Sequence, residues 1–316
     1  MQTAAKSKKH ILVIKLGALG DVVQALGPMQ AIRDHHKHDH ISVLTTAPFE
    51  PLIAASGVAD DIWIDQKPKA LNICGWLGLR KKLRSGGFAR IYDLQTSDRS
   101  SGYYRLFWPG PSPEWSGIAA GCSHPHANPD RDAMHTLERQ AEQLQMAGIK
   151  VTPVSDLGPV TSDLSGFDLP ADYCLIVPGG AGHRPEKRWP QASYQQLVSR
   201  LDGGAVTPLI CGGPDERALG DTLIEGTKAA INLAGRTSLI DLVTLAKQAR
   251  FAIGNDNGPM HIAAFSGTPS IVLYAQASDP ALCAQRGPNV TILRRASMAN
   301  ITVDDVLAAL PDKGGS

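Results

Sequence analysis

Residues 251–269 read FAIGNDNGPMHIAAFSGTP, and they indicate the fold class most clearly. The apolar run at 251–253 predicts a buried strand, which leads into a polar turn containing glycine. Pro259 suits the first position of a helix, and Gly267 with Pro269 supplies the stop. A strand that turns directly into a helix is the basic unit of an α/β fold with a parallel sheet.

The same rhythm repeats along the chain and predicts two parallel sheets, each covered on both faces by helices. Predicted strands lie at 11–15, 41–45, 62–64 and 90–94, and again at 174–177, 207–211, 230–233, 251–253 and 270–274, with helices such as 134–146, 191–200 and 239–248 between them. Residues 109–132 are rich in Pro, Gly, Ser and His without a clear period, so we expect a long loop region there.

A chain of 316 residues with 43% hydrophobic residues is long enough for two domains. The Pro-, Asp- and Ser-rich stretch 151–171 suits a linker, and we predict domains at 1–160 and 161–316, with the last helix packing back on the first domain. The predicted fold class is α/β, with two Rossmann-like doubly wound domains facing across a cleft. Ligands bind such sheets at the carboxyl ends of their strands.

Composition narrows the function classes. The formal net charge of +1 does not favour a nucleic-acid partner. Five scattered cysteines without C-x-x-C spacing are typical of reduced cytoplasmic protein. The apolar run at 11–14 is too short for a signal peptide, and no stretch approaches the ~20 apolar residues that cross a bilayer. We therefore expect a cytoplasmic protein whose membrane contact, if any, is peripheral.

The turn at 254–261 predicts a binding site for a diphosphate. A helix that begins near Pro259 presents unpaired N–H groups, and Gly258 lets a ligand approach the backbone closely. Asp256 can accept hydrogen bonds from sugar hydroxyls, and His261 can donate to a phosphate. The alternative is that Asp256 and Asn257 merely cap the helix and that His261 is a core residue.

A second loop, 178–190, reads PGGAGHRPEKRWP and also follows a strand. Its glycines allow close approach to an anion, and Lys187 is our choice for the direct phosphate ligand. We expect Trp189 to pack the loop rather than to stack on a base. A solvated basic turn is the alternative.

In the first domain, residues 15–21 read KLGALGD and follow the first predicted strand. The pattern is G-x-x-G, and the next helix is expected to be interrupted by Gly27-Pro28, so the dinucleotide fingerprint of a hydride-transfer enzyme is missing. Asp21 either caps the helix or takes a proton from an acceptor hydroxyl.

Together these loops resemble the ADP-heptose:lipopolysaccharide heptosyltransferases, glycosyltransferase family 9. The resemblance rests on KLGALGD at 15–21, KRWP at 187–190, NLAGRTSL at 232–239 and GNDNGPMH at 254–261. It implies the GT-B fold, with acceptor binding in the first domain and donor binding in the second. It also implies an enzyme with no metal ion and no cofactor, for which the nucleotide sugar is a co-substrate.

The resemblance also implies roles for single residues. Asp21 matches the family's proposed base and Lys187 its donor-phosphate lysine, while Glu216 and Thr237 match nucleoside contacts. The sugar- and diphosphate-binding turn is matched by Asp256, Gly258 and His261. Asn257 departs from the family, which often has Thr or Ser at this position, although an amide can still bind a phosphate.

Acceptor contacts are matched only loosely. Arg99 and Arg105 follow the fourth predicted strand and are our candidates, while the basic run Arg80, Lys81, Lys82 and Arg84 suits either an anionic acceptor or a solvated helix face. The predicted reaction moves a heptose or related sugar from an ADP-sugar to a lipopolysaccharide core-type glycolipid with inversion, at the cytoplasmic face of the inner membrane. The alternatives are a noncatalytic sugar-nucleotide or glycolipid binding module and a nucleotide-sugar epimerase.

Overall fold

The computed structural model describes residues 8–180, 182 and 184–311. These residues form two compact units, one ending at Ser155 and the other beginning at Asp156. Each unit contains a parallel sheet flanked by helices, so the prediction of two doubly wound α/β domains is confirmed. No helix in the described part of the chain is both long and apolar enough to cross a bilayer.

The first unit has a sheet of six described strands in the order β3-β2-β1-β4-β5-β6. Its elements are β1 (His10–Ile14), α1 (Leu19–His35), β2 (His40–Thr45), α2 (Glu50–Ser56), β3 (Asp61–Ile64), α3 (Ile73–Ser85), β4 (Arg90–Asp93), α4 (Asp98–Tyr103), β5 (Glu114–Gly117), β6 (His124–Pro125) and α5 (Thr136–Met146). The central strand β1 is apolar throughout its buried part because helices cover both faces of the sheet.

The second unit repeats this arrangement, with six described strands in the order β12-β11-β10-β7-β8-β9. Its elements are β7 (Tyr173–Val177), α6 (Gln191–Leu201), β8 (Thr207–Ile210), α7 (Arg217–Leu223), β9 (Ile231–Asn232), α8 (Leu239–Gln248), β10 (Ala252–Asn255), α9 (Gly258–Phe265), β11 (Ser270–Tyr274), α10 (Pro280–Cys283), β12 (Val290–Arg294) and α11 (Val303–Ala308). Helix α11 packs against α6 through the core that contains Val303 and Val306.

Both sheets have the strand order 3-2-1-4-5-6 of the dinucleotide-binding fold, counted within each unit. Successive strands are added toward one edge of the sheet and then toward the other, and this change falls between β1 and β4 in the first unit and between β7 and β10 in the second. Ligands bind beyond the carboxyl ends of strands at such a switch point. The loops after these four strands are therefore the places to look for a site.

The expectation that residues 109–132 form a loop is wrong, because this stretch contains β5 and β6. Both strands are very short, and the Pro and Gly residues around them hide any alternation. Strand β12 also escaped the sequence pattern. It lies at the edge of its sheet and is only partly buried, so its composition does not distinguish it from a loop.

The expected interruption of the first helix at Gly27-Pro28 is also wrong, since α1 runs through both residues. Proline lacks the N–H that would bond the carbonyl of Gln24. The hydroxyl of Ser155 donates to that carbonyl at 3.0 Å and accepts from the N–H of Gly27 at 3.0 Å. A Cβ at Gly27 would lie 2.2 Å from the carbonyl oxygen of Pro153, so only glycine admits this chain segment.

Candidate functional site

In the second unit, the turn between β10 and α9 is held by two asparagines. Asn257 is the N-cap of α9: its Oδ1 accepts from the N–H of Met260 at 3.1 Å, and its Nδ2 donates to the carbonyl of Gly179 at 2.9 Å. Asn255 is fully buried and donates to the carbonyl of Pro178 at 2.8 Å. These bonds fasten the loop after β7 to the loop after β10, across the switch point.

The glycine-rich loop follows β7, and Ala181 and His183 within it lie outside the described residues. Arg188 Nη2 donates to the carbonyl of Gly180, which joins two described parts of the loop. The Trp189 side chain is 2% exposed, and its indole Nε1 donates to the carbonyl of Ile301 at 2.9 Å. Trp189 therefore packs the loop.

Lys187 and Asp256, one from each loop, form an ion pair with an Nζ–Oδ2 distance of 2.9 Å. The lysine side chain is 17% exposed and the aspartate side chain 9%. Lys187 Nζ also donates to Ser278 Oγ at 2.8 Å. An ammonium has three N–H donors, so one of them is left over after these two bonds.

The remaining acceptor positions of Asp256 are also used. The hydroxyl of Ser278 donates to Oδ2, and Gln285 Nε2 donates to Oδ1 at 3.2 Å. Tyr274 Oη lies 3.0 Å from Oδ1 and 2.8 Å from Gln285 Oε1, so its single proton bonds one of the two at a time. Burial raises the pKa of Asp256, but the bonds from Ser278 and Lys187 and the lysine charge outweigh it, so the net pKa is lowered.

Tyr274, Ser278 and Gln285 did not emerge from the sequence as site residues. The available signal was position: Tyr274 ends the predicted strand at 270–274, and polar residues that follow a parallel strand lie at the ligand-binding edge. Cys283 joins the same cluster, with Sγ 3.7 Å from Ser278 Oγ. Burial raises the pKa of this thiol.

The other predicted donor residues lie on neighbouring loops. Glu216 ends a 3-10 turn after β8, where its Oε2 accepts from the N–H of Gly213 at 2.7 Å. A Cβ at Gly179 would lie 2.7 Å from Glu216 Oε1, so the glycine makes room for this carboxylate. Thr237 is half-buried in the loop before α8, and His261 lies in α9 with 5% of its surface exposed.

In the first unit, Asp21 lies in the first turn of α1, just after β1. Its Oδ2 accepts one hydrogen bond, from the N–H of Ala18 at 3.2 Å, and this is its one recorded bond within the described residues. Asp21 is the third residue of the helix and Ala18 is the N-cap residue, so this bond makes the Asp21 carboxylate part of the helix cap. Most of the acceptor capacity of its carboxylate is unused.

A cavity of about 90 Å³ adjoins Asp21 at the switch point of the first sheet. Its lining is almost entirely polar and consists of Lys15, Asp21, Leu94, Gln95, Thr96, Arg139, Gln140 and Gln143. Two cations therefore share this small space with one carboxylate. The arrangement suits a polar or anionic group brought next to Asp21.

Lys15 is an unusual residue in this cavity because it is 3% exposed. Its Nζ donates to the carbonyl of Leu94 at 3.1 Å. Burial lowers the pKa of Lys15, while the negative charges of Asp21 and Asp93 oppose that shift. Burial disfavours the charged form of Asp93 as well, and this raises the pKa of that carboxyl to about 6.

The two arginines predicted to contact an acceptor lie elsewhere in the first unit and in different surroundings. Arg99, on α4, donates from Nη2 to the carbonyl of Pro68 at 3.1 Å and places its guanidinium 5.3 Å from the centre of the Trp76 ring. Arg105 is exposed, in the 3-10 turn that follows α4. Neither residue lines the cavity beside Asp21.

Solved structures share this fold over nearly the whole chain. The glycosyl transferase family 9 structure from Veillonella parvula superposes with a TM-score of 0.82 at 20% identity, covering 95% of both chains. The Escherichia coli ADP-heptose LPS heptosyltransferase II superposes with a TM-score of 0.78 at 22% identity, covering 95% of this chain and 97% of that one. The architecture is that of the GT-B glycosyltransferases.

Sequence comparison identifies the family. The family model of glycosyltransferase family 9 (heptosyltransferase) matches residues 119–306, more than half of the chain. The lipopolysaccharide core heptosyltransferase OpsX of Haemophilus influenzae is 25% identical over 292 residues, covering 87% of this chain and 81% of that protein. The chain belongs to glycosyltransferase family 9, and it is a glycosyltransferase enzyme.

Proposed function

We propose that this enzyme transfers a heptose from ADP-heptose to the core region of a lipopolysaccharide-type glycolipid, with inversion at the anomeric carbon and without a metal ion. The observation that carries the proposal is the pairing of Asp21 with the polar cavity beside it. A carboxylate with spare acceptor capacity, next to a space for a polar group, is suited to general-base work.

In the proposed reaction, Asp21 accepts the proton of an acceptor hydroxyl as its oxygen attacks the anomeric carbon. A new glycosidic C–O bond forms while the bond from that carbon to the β-phosphate oxygen breaks. ADP leaves with the electron pair from the opposite face, so the configuration inverts. No covalent intermediate with the enzyme is formed.

The second unit supplies the groups for the leaving diphosphate. The third N–H of Lys187 and the backbone N–H groups at the start of α9 favour negative charge that grows on the β-phosphate. Asp256 acts on Lys187 by fixing the direction of its ammonium. Glu216 and Thr237, on the loops after β8 and β9, are the proposed nucleoside contacts, and Gly258 and His261 complete the diphosphate turn.

Names of relatives support the choice of substrates. The Escherichia coli structure is described as an ADP-heptose LPS heptosyltransferase, and the Haemophilus influenzae relative as a lipopolysaccharide core heptosyltransferase. We extend both substrate classes to this enzyme, and with them a location at the cytoplasmic face of the inner membrane. Arg99 and Arg105 stay as predicted acceptor contacts, of which exposed Arg105 is the better placed to meet a ligand.

The test is a transfer assay with ADP-heptose and a heptose-free lipopolysaccharide acceptor, with the product followed by mass spectrometry and its anomeric configuration assigned by NMR. We expect an α-anomeric product from a β-linked donor and unchanged turnover in excess EDTA. UDP- and GDP-sugars serve as donor controls. Retained configuration, loss of activity in EDTA or conversion of the donor in the absence of acceptor would each contradict the proposal.

A further inference from the structure

One surface of the first unit combines exposed apolar side chains with unneutralised positive charge. Leu71 is 94% exposed, Ile73 71%, Leu77 57% and Trp108 76%. These four make up half of the eight large hydrophobic residues that are strongly exposed in the described part of the chain. Such residues are normally scattered singly over a soluble protein, so their concentration marks an interaction surface.

The four residues lie on α3 or on segments joined to it, and Leu71 directly precedes the N-cap residue of that helix. Ile73 and Leu77 lie one turn apart on α3, and Arg80 and Arg84 continue the same face at helical spacing. Arg80 Nη2 donates to the carbonyl of Trp108 at 2.9 Å, which ties the segment that carries the tryptophan to this helix. We call this feature the α3 surface; it consists of Lys69, Leu71, Ile73, Leu77, Arg80, Lys81, Arg84 and Trp108.

The charge of this part of the chain is strongly one-sided. Residues 66–89 contain six Lys or Arg and no Asp or Glu, although the whole chain has a formal net charge of only +1. Arg84 Nη1 donates to the carbonyls of Phe107 and Pro109, which are neutral and leave the positive charge of the guanidinium uncompensated. Lys69 and Lys81 are exposed, and no recorded ion pair among the described residues involves any of the six cations.

A protein partner, a second copy of this chain and a membrane are the possible occupants, and charge complementarity favours the membrane. An interfacial helix places apolar side chains at the boundary of head groups and acyl chains, with Lys and Arg against anionic head groups. The large side chains here include a tryptophan, which favours that boundary. An acidic protein surface would match the cations, but its charged groups would give the exposed apolar side chains of Leu71 and Ile73 no apolar surface to pack against.

We propose that the α3 surface docks the enzyme on a bilayer of anionic phospholipid. The apolar residues enter the head-group boundary, and the lysines and arginines bind lipid phosphates. Docking of this kind needs no sugar acceptor in the bilayer, so it stands apart from the proposed transfer reaction. It would hold the enzyme on the surface where a lipid-anchored acceptor is found.

The experiment measures partition of the full-length enzyme onto vesicles by co-sedimentation. The vesicles are phosphatidylcholine alone, or phosphatidylcholine with phosphatidylglycerol as the minority component, and they contain no glycolipid. Each cation near an anionic surface contributes about 1 kcal/mol, a factor of about five in partition. We expect binding to the anionic vesicles that weakens as salt is added, and little binding to phosphatidylcholine alone.

Two variants divide the contributions. Lys69→Glu with Lys81→Glu should lower the partition by about 30-fold or more, because two attractive charges become repulsive. Leu71→Ser with Trp108→Ala should lower it by about tenfold and should do so in high salt as well. Lys150→Glu with Val151→Ser is the matched control, since both residues are exposed and lie outside the α3 surface.

Thermal melting and binding of ADP establish that each variant is folded. Equal partition of the charge-reversed variant and the parent would overturn the proposal, as would equal binding to neutral and anionic vesicles. Self-association of the parent that the α3 substitutions abolish, without vesicle binding, would assign the surface to a second copy instead. Transfer to a short water-soluble acceptor should be unchanged in the Leu71→Ser/Trp108→Ala variant and in the control, so a failed transfer assay and failed docking are separate results.

Discussion

Two carboxylates lie at the switch points of the two sheets but have very different surroundings. Asp21 follows β1 and Asp256 follows β10, and both lie at the switch point of their sheets. Asp21 accepts one backbone hydrogen bond beside a cavity. Asp256 is bonded by Lys187, Ser278 and further side chains and is nearly buried.

This difference separates two kinds of function for the same chemical group. A carboxylate whose acceptor positions are all used holds its partners in place, and its lowered pKa makes it a poor base. A carboxylate with one weak bond can exchange protons with a substrate. We infer that the first unit contributes the base and that Asp256 mainly orients Lys187.

Asp21→Asn gives the largest expected effect. An amide cannot take the proton, so turnover should fall by ~10²–10⁴-fold while the affinity for ADP is unchanged. Turnover by mass spectrometry and ADP affinity by calorimetry are the measurements. Asp34→Asn is the matched control, because Asp34 is an exposed carboxylate on the same helix. Near-parental turnover of the Asp21 variant would assign the base elsewhere.

Lys187→Met should cost about 3 kcal/mol in the free energy of unfolding, because it leaves the nearly buried Asp256 without its cation. It should also weaken ADP binding. Adding Asp256→Asn to this variant should recover part of the stability but not the ADP affinity. Urea unfolding of the two single variants and the double variant measures the coupling. Strictly additive losses would show that the ion pair has no net coupling.

Ser155→Ala tests how α1, the helix that carries Asp21, is supported. The substitution leaves the buried carbonyl of Gln24, to which Pro28 cannot donate, without a hydrogen-bond donor, at a cost of about 1–3 kcal/mol in the free energy of unfolding. Ser165→Ala is the control, because Ser165 is an exposed serine whose bonds are local to its own turn. Equal stability of the two variants would contradict the role given to Ser155.

Lys15→Met should have a smaller and opposite effect on stability. Removing an ammonium from a buried position eliminates its desolvation cost, so the free energy of unfolding should stay the same or rise by about 1 kcal/mol. Turnover should nevertheless fall by about tenfold, because the cavity loses a charge next to Asp21. Thermal melting tests the expected effect on stability, and the transfer assay tests the expected effect on turnover. A destabilised variant with full activity would show that Lys15 is structural.

The smallest expected effect concerns the pH dependence of stability, which Asp256→Asn should make flatter at acid pH. The folded-state pKa of Asp256 lies below its ordinary value of 3.8. The carboxylate therefore adds stability above pH 3.8 that is lost as the pH falls through the lower folded pKa. Urea unfolding at a series of pH values from neutral to below 3.8 measures it. A parallel pH dependence in parent and variant would contradict the lowered pKa.

The sequence predicted most of the fold because each buried parallel strand is a short apolar run between helices. It failed where that contrast is weak: β5 and β6 are too short, and β12 is half-exposed. It also failed at Gly27-Pro28, where a residue 127 positions beyond Pro28 replaces the missing hydrogen bond. No local pattern can indicate a donor so distant in the chain.

Prediction of the site had a similar limit. The sequence pointed to the loops that follow strands, and Asp256 and Lys187, taken from two of these loops, form an ion pair. Their ion pair, and the bonds from Tyr274 and Gln285, depend on the spatial order of the strands, which the sequence order does not reveal. Asn257 was considered both as a cap and as a ligand. Its Oδ1 accepts from the N–H of Met260 and its Nδ2 donates to the carbonyl of Gly179, so both ends of the amide bond to the protein.

The bond between Ser155 and α1 bears on how the two halves of this enzyme can be expressed separately. A fragment that stops a few residues before Ser155 would lose the hydrogen bond to the carbonyl of Gln24 beside Pro28. It would also lose the chain segment around Pro153 that packs against Gly27. A fragment that extends through Ser155 keeps both. Gene truncations, fusions to reporter proteins and split-enzyme designs should therefore cut the chain after this serine.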